Sequence, residues 1–301
     1  MAGPIKYRIR KKVEGKAYIV LFACSLTRAL YLELFPSLET RELLPTLKRL
    51  IARKGRPKKI YSDNGSTFVG ASKWLNTIKR DERIHHYLSG NQITWQFTLS
   101  RSPWWVGQFE RMVGLVKRAL YKSIGSGCLG YQELGEVLLD LEVALNNRPL
   151  LYLEDDIQLP TITPNSMQFV GLTTIPEEEP NYLADRDLRN RAKYLLKCKE
   201  VLWSRWTREY LRTLRERHNL KHDGQPHSLK VGDVVIVKSD ERNRGKWHLG
   251  IVEQLYPGRD GVVRAVKLRS GKDHLERPVN HLYPLELSCD RETSKPADSP
   301  K

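Results

Sequence analysis

Cysteine is scarce in this sequence, with four residues at positions 24, 128, 198 and 289 of 301. None forms a close pair of the kind that ligates zinc or cycles a disulfide. A zinc knuckle, a redox motif and a disulfide-stapled scaffold are therefore excluded, and the thiols read as free in a reducing compartment. Long apolar runs are also missing. The longest, residues 17–24, is far too short to cross a bilayer, and no signal-peptide core follows the basic N-terminal stretch. Acidic residues are outnumbered, 35 against 51 Lys and Arg, which leaves a net charge of +16 and a pI near 9.7. That excess favours a polyanionic partner, and without a membrane segment nucleic acid fits better than a lipid surface. The one adjacent histidine pair, His85-His86, lies in a polar segment and reads as a solvated loop, because a metal site would need further ligands brought close to it.

What is present suffices for at least one sizeable core, since 40% of the residues are hydrophobic over more than one typical domain length. Residues 17–22 and 29–34 are rich in β-formers and read as neighbouring strands of a hairpin or meander. Over residues 40–54, Leu43, Leu44, Leu47, Leu50 and Ile51 recur at spacings of three and four, which predicts an amphipathic helix stopped by Gly55 and Pro57. Strands are expected at 59–62 and 93–97. A helix is expected over 110–123, with Val113, Val116 and Leu120 on one face. A second, over 131–147, would turn Leu134, Leu138, Leu141 and Leu145 inward. This order predicts an α/β core with a mixed sheet, closing near Pro149. The polar loop that follows, with Glu177-Glu178-Glu179-Pro180, reads as a linker.

Residues 186–222 read as a strongly basic helix, with twelve Lys and Arg against four acids, +8 and half the chain's excess. Trp203, Trp206 and Tyr210 interleave with Arg205, Arg208, Arg212 and Arg215, as on a surface that grips phosphates and stacks on a partner. Beyond Pro226 come short β-segments around 231–237, 248–253, 261–268 and 277–278, joined by Gly- and Pro-bearing turns, and they predict a small barrel. The polar tail, 288–301, reads as disordered.

The residues best suited to chemistry are two acids. Asp63 ends the run Ile60-Tyr61-Ser62-Asp63 before a turn, and Glu110 follows the loop Trp104-Trp105-Val106-Gly107-Gln108-Phe109 at the head of a helix. Two carboxylates at strand and helix ends suit a divalent metal, because hard cations take oxygen ligands and leave positions to water and phosphate. Only Glu14 precedes them ahead of the first full strand, in an expected turn.

From Ala2 to Glu286 the sequence resembles the integrase region of an LTR retrotransposon, most closely the Pao/BEL type. The likeness rests on Ala2-Gly3-Pro4, Ser25-Leu26-Thr27-Arg28-Ala29, the Tyr61 to Phe68 run, Ser102-Pro103-Trp104-Trp105, Asn147-Arg148-Pro149-Leu150, and Thr163-Pro164. In the C-terminal part Arg244-Gly245-Lys246-Trp247, the Pro257 to Gly261 turn and Leu282-Tyr283-Pro284-Leu285-Glu286 extend it. The resemblance implies an RNase H-like integrase catalytic core over 1–170, a linker and basic helix over 171–226, and a small SH3-like barrel over 227–287.

It also implies an Asp, Asp, Glu triad holding two Mg²⁺ or Mn²⁺ ions for DNA 3′-end processing and strand transfer. Asp63 matches the second acid and Glu110 the third, while the first falls one position before Met1, so the chain reads as truncated at its N-terminus. Lys117, seven residues after Glu110 on the same helical face, matches a contact to the donor DNA end. Lys246 joins the four arginines as a DNA-binding candidate. Forty-six residues separate Asp63 from Glu110, against the roughly 35 of retroviral relatives, and Val106 stands where relatives commonly have glycine. With two of three ligands, metal binding is expected to be weak or absent and the chain to bind DNA far better than it cuts or joins it. The expected partners are retroelement ends, target DNA and further copies of the chain, with no membrane and no small-molecule substrate; the resemblance implies the nucleus, the cytoplasm being the alternative. The alternative is a non-catalytic nucleic-acid or chromatin-binding protein of the same descent.

Overall fold

Cross-strand pairing organises the first sheet. In the computed structural model, which describes residues 2–10, 13–37, 39–63, 77–78, 80–98, 112–114, 116–118, 120, 129–151, 161–169, 185–221, 229–238 and 247–286, the chain divides into two units. The first comprises Met1–Ser25, Leu30–Glu142 and Pro180–Leu202, the second Leu26–Ala29, Val143–Glu179 and Trp203–Lys301. Glu110, Lys246, Cys128, Cys289, the 177–180 linker and the 288–301 tail lie outside the described residues.

In the first unit, β1 (Ala2–Arg10), β2 (Val13–Ala23) and β3 (Leu30–Phe35) form an antiparallel sheet with β2 in the middle. Ala17, Ile19 and Val20 of β2 are buried, as are Leu30, Tyr31, Leu32 and Phe35 of β3, so apolar burial holds the register. Glu14 corrects the sequence expectation of a turn. It lies in β2 opposite Arg8, and its carboxylate pairs with Lys6 at 2.8 Å, because β1 and β2 reach to within two residues of each other. Gly15 sits opposite Tyr7, and a Cβ there would lie 2.5 Å from the Tyr7 ring.

Helix α1 (Thr40–Lys54) buries Leu43 and Leu47 against Val20 and Phe35, the face its spacing predicts. Gly55, at φ +84, ends it by donating its N–H to Ile51 O at 2.9 Å. β4 (Lys59–Asp63) then pairs in parallel with β5 (Thr94–Thr98). Parallel strands need a crossover, and the intervening helix α2 (Glu82–Gly90) is part of it. Asp81 caps α2 by accepting from the backbone N–H groups of Arg83 and Ile84, and Ile84 and Leu88 complete the core. His85 and His86, expected in a loop, are therefore exposed helical residues; the buried i, i+4 pair Ile84 and Leu88 is the signal for the helix. Residues 112–114, 116–118 and 120 are helical, with Met112, Val116 and Leu120 buried.

Helix α3 (Tyr131–Asn146) buries Leu134, Val137, Leu138, Leu141 and Leu145. Helix α4 (Arg186–Lys221) contributes its residues up to Leu202 to the first unit, where Arg191 forms an ion pair with Glu133 and Lys199 with Asp140 at 2.5 Å. In the second unit, β6 (Val234–Val237), β7 (His248–Pro257), β8 (Val263–Ser270) and β9 (Asp273–Pro278) form an antiparallel meander. A 3-10 turn, Val279–His281, then returns the chain so that β10 (Leu282–Pro284) pairs with β6, around a core of Val235, Val237, Val252, Val266, Leu268 and Leu282. No sequence pattern marks β10, because three residues containing a proline are too short to show alternation.

Candidate functional site

Asp63 is the last residue of β4, opposite Thr98 of β5. One residue earlier, Trp95 Nε1 donates to Ser62 Oγ at 2.9 Å and ties the two strands together just before the acid. Glu110 lies outside the described residues, and among the described residues no group of three His, Cys, Asp or Glu side chains is placed to hold a metal ion. Lys117 is half-buried, between Val116 and the helical Leu120, both of which are buried.

The aromatic residues of α4 overturn the expectation that they face a partner. Trp206 is fully buried and Tyr210 nearly so. Their rings stack with centroids 5.0 Å apart and planes 10° apart, Trp203 stacks on Trp206 at 5.3 Å, and Trp247 packs edge-on against all three. The reason is periodicity: 203, 206 and 210 occupy one stripe of a helix, continued by the buried Leu214. Basic residues between the members of that stripe lie on other faces and do not bring the rings to the surface.

The four arginines separate by environment. Arg208 is exposed and Arg205 half-buried. Arg212 is exposed but paired with Glu209 at 3.1 Å and Glu216 at 3.4 Å. Arg215 braces its own unit, donating to the carbonyl oxygens of Asn280 (2.7 Å) and Leu282 (3.3 Å) with its guanidinium 4.4 Å from the centre of the Tyr283 ring.

The second unit also holds a charged cluster that sequence reasoning missed. Arg148 is 1% exposed and Glu286 5%. Arg148 Nε donates to Glu286 Oε2 at 2.8 Å, Nη1 to Leu145 O at 2.8 Å and Nη2 to Arg28 O at 3.0 Å, which engages all three guanidinium nitrogens. Arg28 Nη1 lies 3.4 Å from Glu286 Oε1, and the Tyr210 hydroxyl donates to Oε2 at 3.1 Å. Burial by itself raises the Glu286 carboxyl pKa. The charge and hydrogen bond of Arg148, the charge of Arg28 and the Tyr210 hydroxyl outweigh it and hold the group below the usual carboxylate range. Alongside, Asn165 Nδ2 donates to Asn147 Oδ1 at 2.7 Å and Asn165 N to Asn146 O at 2.9 Å, docking the loop at 161–169 on the end of α3.

A second network braces the first unit. The Tyr31 hydroxyl donates to Glu33 at 2.6 Å and accepts from Arg53 at 3.2 Å, and Arg49 pairs with Glu33 at 2.7 Å. Burial, together with the Glu33 hydrogen bond and charge, pushes the Tyr31 phenol up to about 12. Glu142 accepts from Leu32 N at 2.8 Å, and its burial holds its carboxyl above the ordinary value despite that bond and the nearby Lys54.

Residues 190–285, 96 of the chain's 301, match a family of unknown function (DUF5641). No curated protein matches the sequence. Among solved structures, a chain of the simian T-cell lymphotropic virus intasome in complex with the PP2A regulatory subunit B56 gamma is similar at 15% identity, over 93% of this chain and 75% of that one, with a TM-score of 0.38. The HTLV-2 integrase catalytic core domain in complex with magnesium, in its trimeric form, is similar at 15% identity over 55% of this chain and 91% of that one, with a TM-score of 0.37.

Proposed function

We propose that this chain is a DNA-binding protein derived from the integrase of a Pao/BEL-like LTR retrotransposon, built as an RNase H-like core, a basic helix and a small SH3-like barrel. The observation that carries the reading is the meeting of three of its motifs in one buried cluster. Arg28 of the Ser25-Leu26-Thr27-Arg28-Ala29 run, Arg148 of Asn147-Arg148-Pro149-Leu150 and Glu286 of the Leu282 to Glu286 run share hydrogen bonds across 120 and 138 residues of sequence. Matches that interlock as side chains behave as parts of one inherited fold and not as separate coincidences. The basic excess of +16 supports a polyanionic partner.

In this reading Asp63 and Glu110 belong to a carboxylate site for Mg²⁺ or Mn²⁺; such ions, when bound, activate the attacking oxygen and stabilise the leaving one. That site rests on the sequence, since the described residues supply no complete ligand set. Lys117, Arg205, Arg208 and Lys246 are the cations proposed to meet DNA, retroelement ends and target alike, in a nuclear homo-oligomer. The competing reading, a non-catalytic DNA- or chromatin-binding protein of the same descent, differs only at the metal site.

Titrating a labelled duplex with the full chain at salt concentrations from about 50 to about 200 mM tests the binding, because phosphate contacts release counterions. Affinity that falls steeply with salt supports the reading; no binding, or a flat response, overturns it. A strand-transfer assay with Mn²⁺ separates the two versions. Joined product that disappears in Asp63→Asn makes the chain an enzyme, and intact binding without product favours the non-catalytic version.

A further inference from the structure

Residues 43–62 carry seven Lys and Arg and no acid. Three of those cations find anionic or phenolic partners on neighbouring elements: Arg49 pairs with Glu33, Lys54 with Glu142 at 3.9 Å, and Arg53 donates to the Tyr31 hydroxyl. Lys48 lies over the Tyr87 ring, 5.9 Å from its centre. Arg56, Lys58 and Lys59 differ. All three are exposed, and among the described residues none of their side chains has a hydrogen-bond or ion-pair partner.

Their backbone is nevertheless held in place. The Gly55 N–H is bonded to Ile51 O, Lys58 O accepts from Thr94 N at 3.1 Å, and Lys59 opens β4 in register with Thr94. Pro57 adds a residue whose φ is fixed by its ring. A solvated charge run on a loose loop can spread its charges apart, whereas here three like charges are kept within four residues on a pinned segment. Arg49 and Lys54 each have an acid beside them, and among the described residues Arg56, Lys58 and Lys59 have none. Such an arrangement is mildly unfavourable alone and becomes favourable against a row of phosphates.

We infer that Arg56, Lys58 and Lys59 form a phosphate-contacting surface for duplex DNA on the first unit, separate from the arginines of α4. The inference rests on the DNA-binding reading and extends it to a segment whose composition suits a nuclear-localisation or minor-groove motif and which the family resemblance favours as a basic loop between helix and strand. Duplex DNA is the partner, because three cations on a backbone held in place suit a repeating array of single charges. A membrane surface would also call for exposed large apolar side chains, and the segment from Gly55 to Lys59 has none. At a rise of about 3.3 Å per residue, Lys59 and Asp63 stand about 13 Å apart at opposite ends of β4, less than one turn of duplex. A backbone gripped at Arg56–Lys59 would thus set the position of the duplex relative to Asp63.

The test compares the full chain with a triple variant, Arg56→Gln, Lys58→Gln and Lys59→Gln, and with a charge-keeping variant, Arg56→Lys, Lys58→Arg and Lys59→Arg. Each is titrated with a labelled duplex over a range of salt and with phosphatidylserine vesicles. We expect the dependence of log affinity on log salt to become shallower by about 2 to 3 in the triple glutamine variant, near 0.9 for each phosphate that is no longer neutralised. The charge-keeping variant should retain the original slope, and all three proteins should unfold at the same temperature. A slope unchanged in the glutamine variant, or a loss seen with vesicles and not with DNA, overturns the inference while the DNA-binding reading stands. Absence of DNA binding by the unaltered chain removes both.

Discussion

Arg148 and Glu286, 138 residues apart in sequence, meet at 2.8 Å with side-chain exposures of 1% and 6%. Burying two charges costs several kcal/mol of desolvation each, and their attraction repays this only when the remaining donors and acceptors are also used. Here the remaining groups are used: Arg148 directs its other nitrogens to Leu145 O and Arg28 O, and Glu286 gains Arg28 and the Tyr210 hydroxyl. Removing the carboxylate alone would leave buried guanidinium charge without its counterion. Glu286→Ala should therefore cost about 3 to 5 kcal/mol in urea unfolding of the full chain. The double variant Arg148→Met, Glu286→Leu should recover much of that loss. A double variant no more stable than Glu286→Ala would mean that packing, and not charge pairing, holds this corner.

The buried carboxylate of Glu286 and the half-buried one of Glu142 should respond to acid in opposite senses. The folded pKa of Glu286 is depressed, so its contribution is fully present above the unfolded value, about 4.3, and is lost as pH falls through the lower folded value. The folded pKa of Glu142 is raised by burial, so protonation favours the folded state, and its contribution grows as pH falls through the raised value toward about 4.3. Urea midpoints measured against pH should show Glu286→Gln flattening the acid limb below about pH 4.3. Glu142→Gln should be neutral or stabilising at pH 7, since the amide oxygen can still accept from Leu32 N. A Glu142→Gln protein that is strongly destabilised at pH 7 would contradict the assignment of burial as the dominant influence.

How far the sequence reveals this molecule depends on the range of the interaction. Leu43, Leu47, Leu134, Leu138 and Leu141 announce α1 and α3 because their spacing is local and their partners need only be apolar. Helix α2 escapes because it has nine residues and shows two buried apolar positions. Trp203, Trp206 and Tyr210 mislead because their composition, aromatics among arginines, suggests an exposed surface, while their i, i+3, i+7 spacing makes a buried stripe. Arg148 and Glu286 carry no local sign of each other; Glu286 stands as a lone charge among apolar residues and Arg148 follows Asn146-Asn147, and neither setting says where the partner is. The run to Asp63 can be placed at a strand end, because its apolar and β-branched residues are local to β4.

Gly15 is required by what faces it. The hairpin pairs it with Tyr7, whose ring packs edge-on against Tyr131 with centroids 5.3 Å apart, so the ring cannot swing aside freely. An added methyl would sit 2.5 to 2.8 Å from two ring carbons and the hydroxyl oxygen of Tyr7. Gly15→Ala should destabilise by about 1 to 3 kcal/mol, the usual penalty of overpacking. In the background of Tyr7→Ala the same substitution should cost little, and a penalty that persists there would point to backbone conformation as the cause.

The arginines of α4 should divide between binding and folding along the lines of their contacts. Arg208 is exposed, and Arg208→Gln should reduce the salt slope of DNA binding by about 0.9 while leaving stability within about 0.5 kcal/mol. Arg215 commits its guanidinium to Asn280 O, Leu282 O and the Tyr283 ring, so Arg215→Gln should cost about 1 to 2 kcal/mol of stability and leave the slope where it was. Trp206→Ala, at the centre of the stacked rings, should cost about 3 to 5 kcal/mol. If Trp206→Ala instead weakened DNA binding at full stability, the buried stack would have to open to a partner, and the core assignment of these rings would fail. Measuring unfolding and salt slope on the unaltered chain and these three variants distinguishes the cases, because a phosphate contact appears only in the slope and a packing contact only in the unfolding free energy.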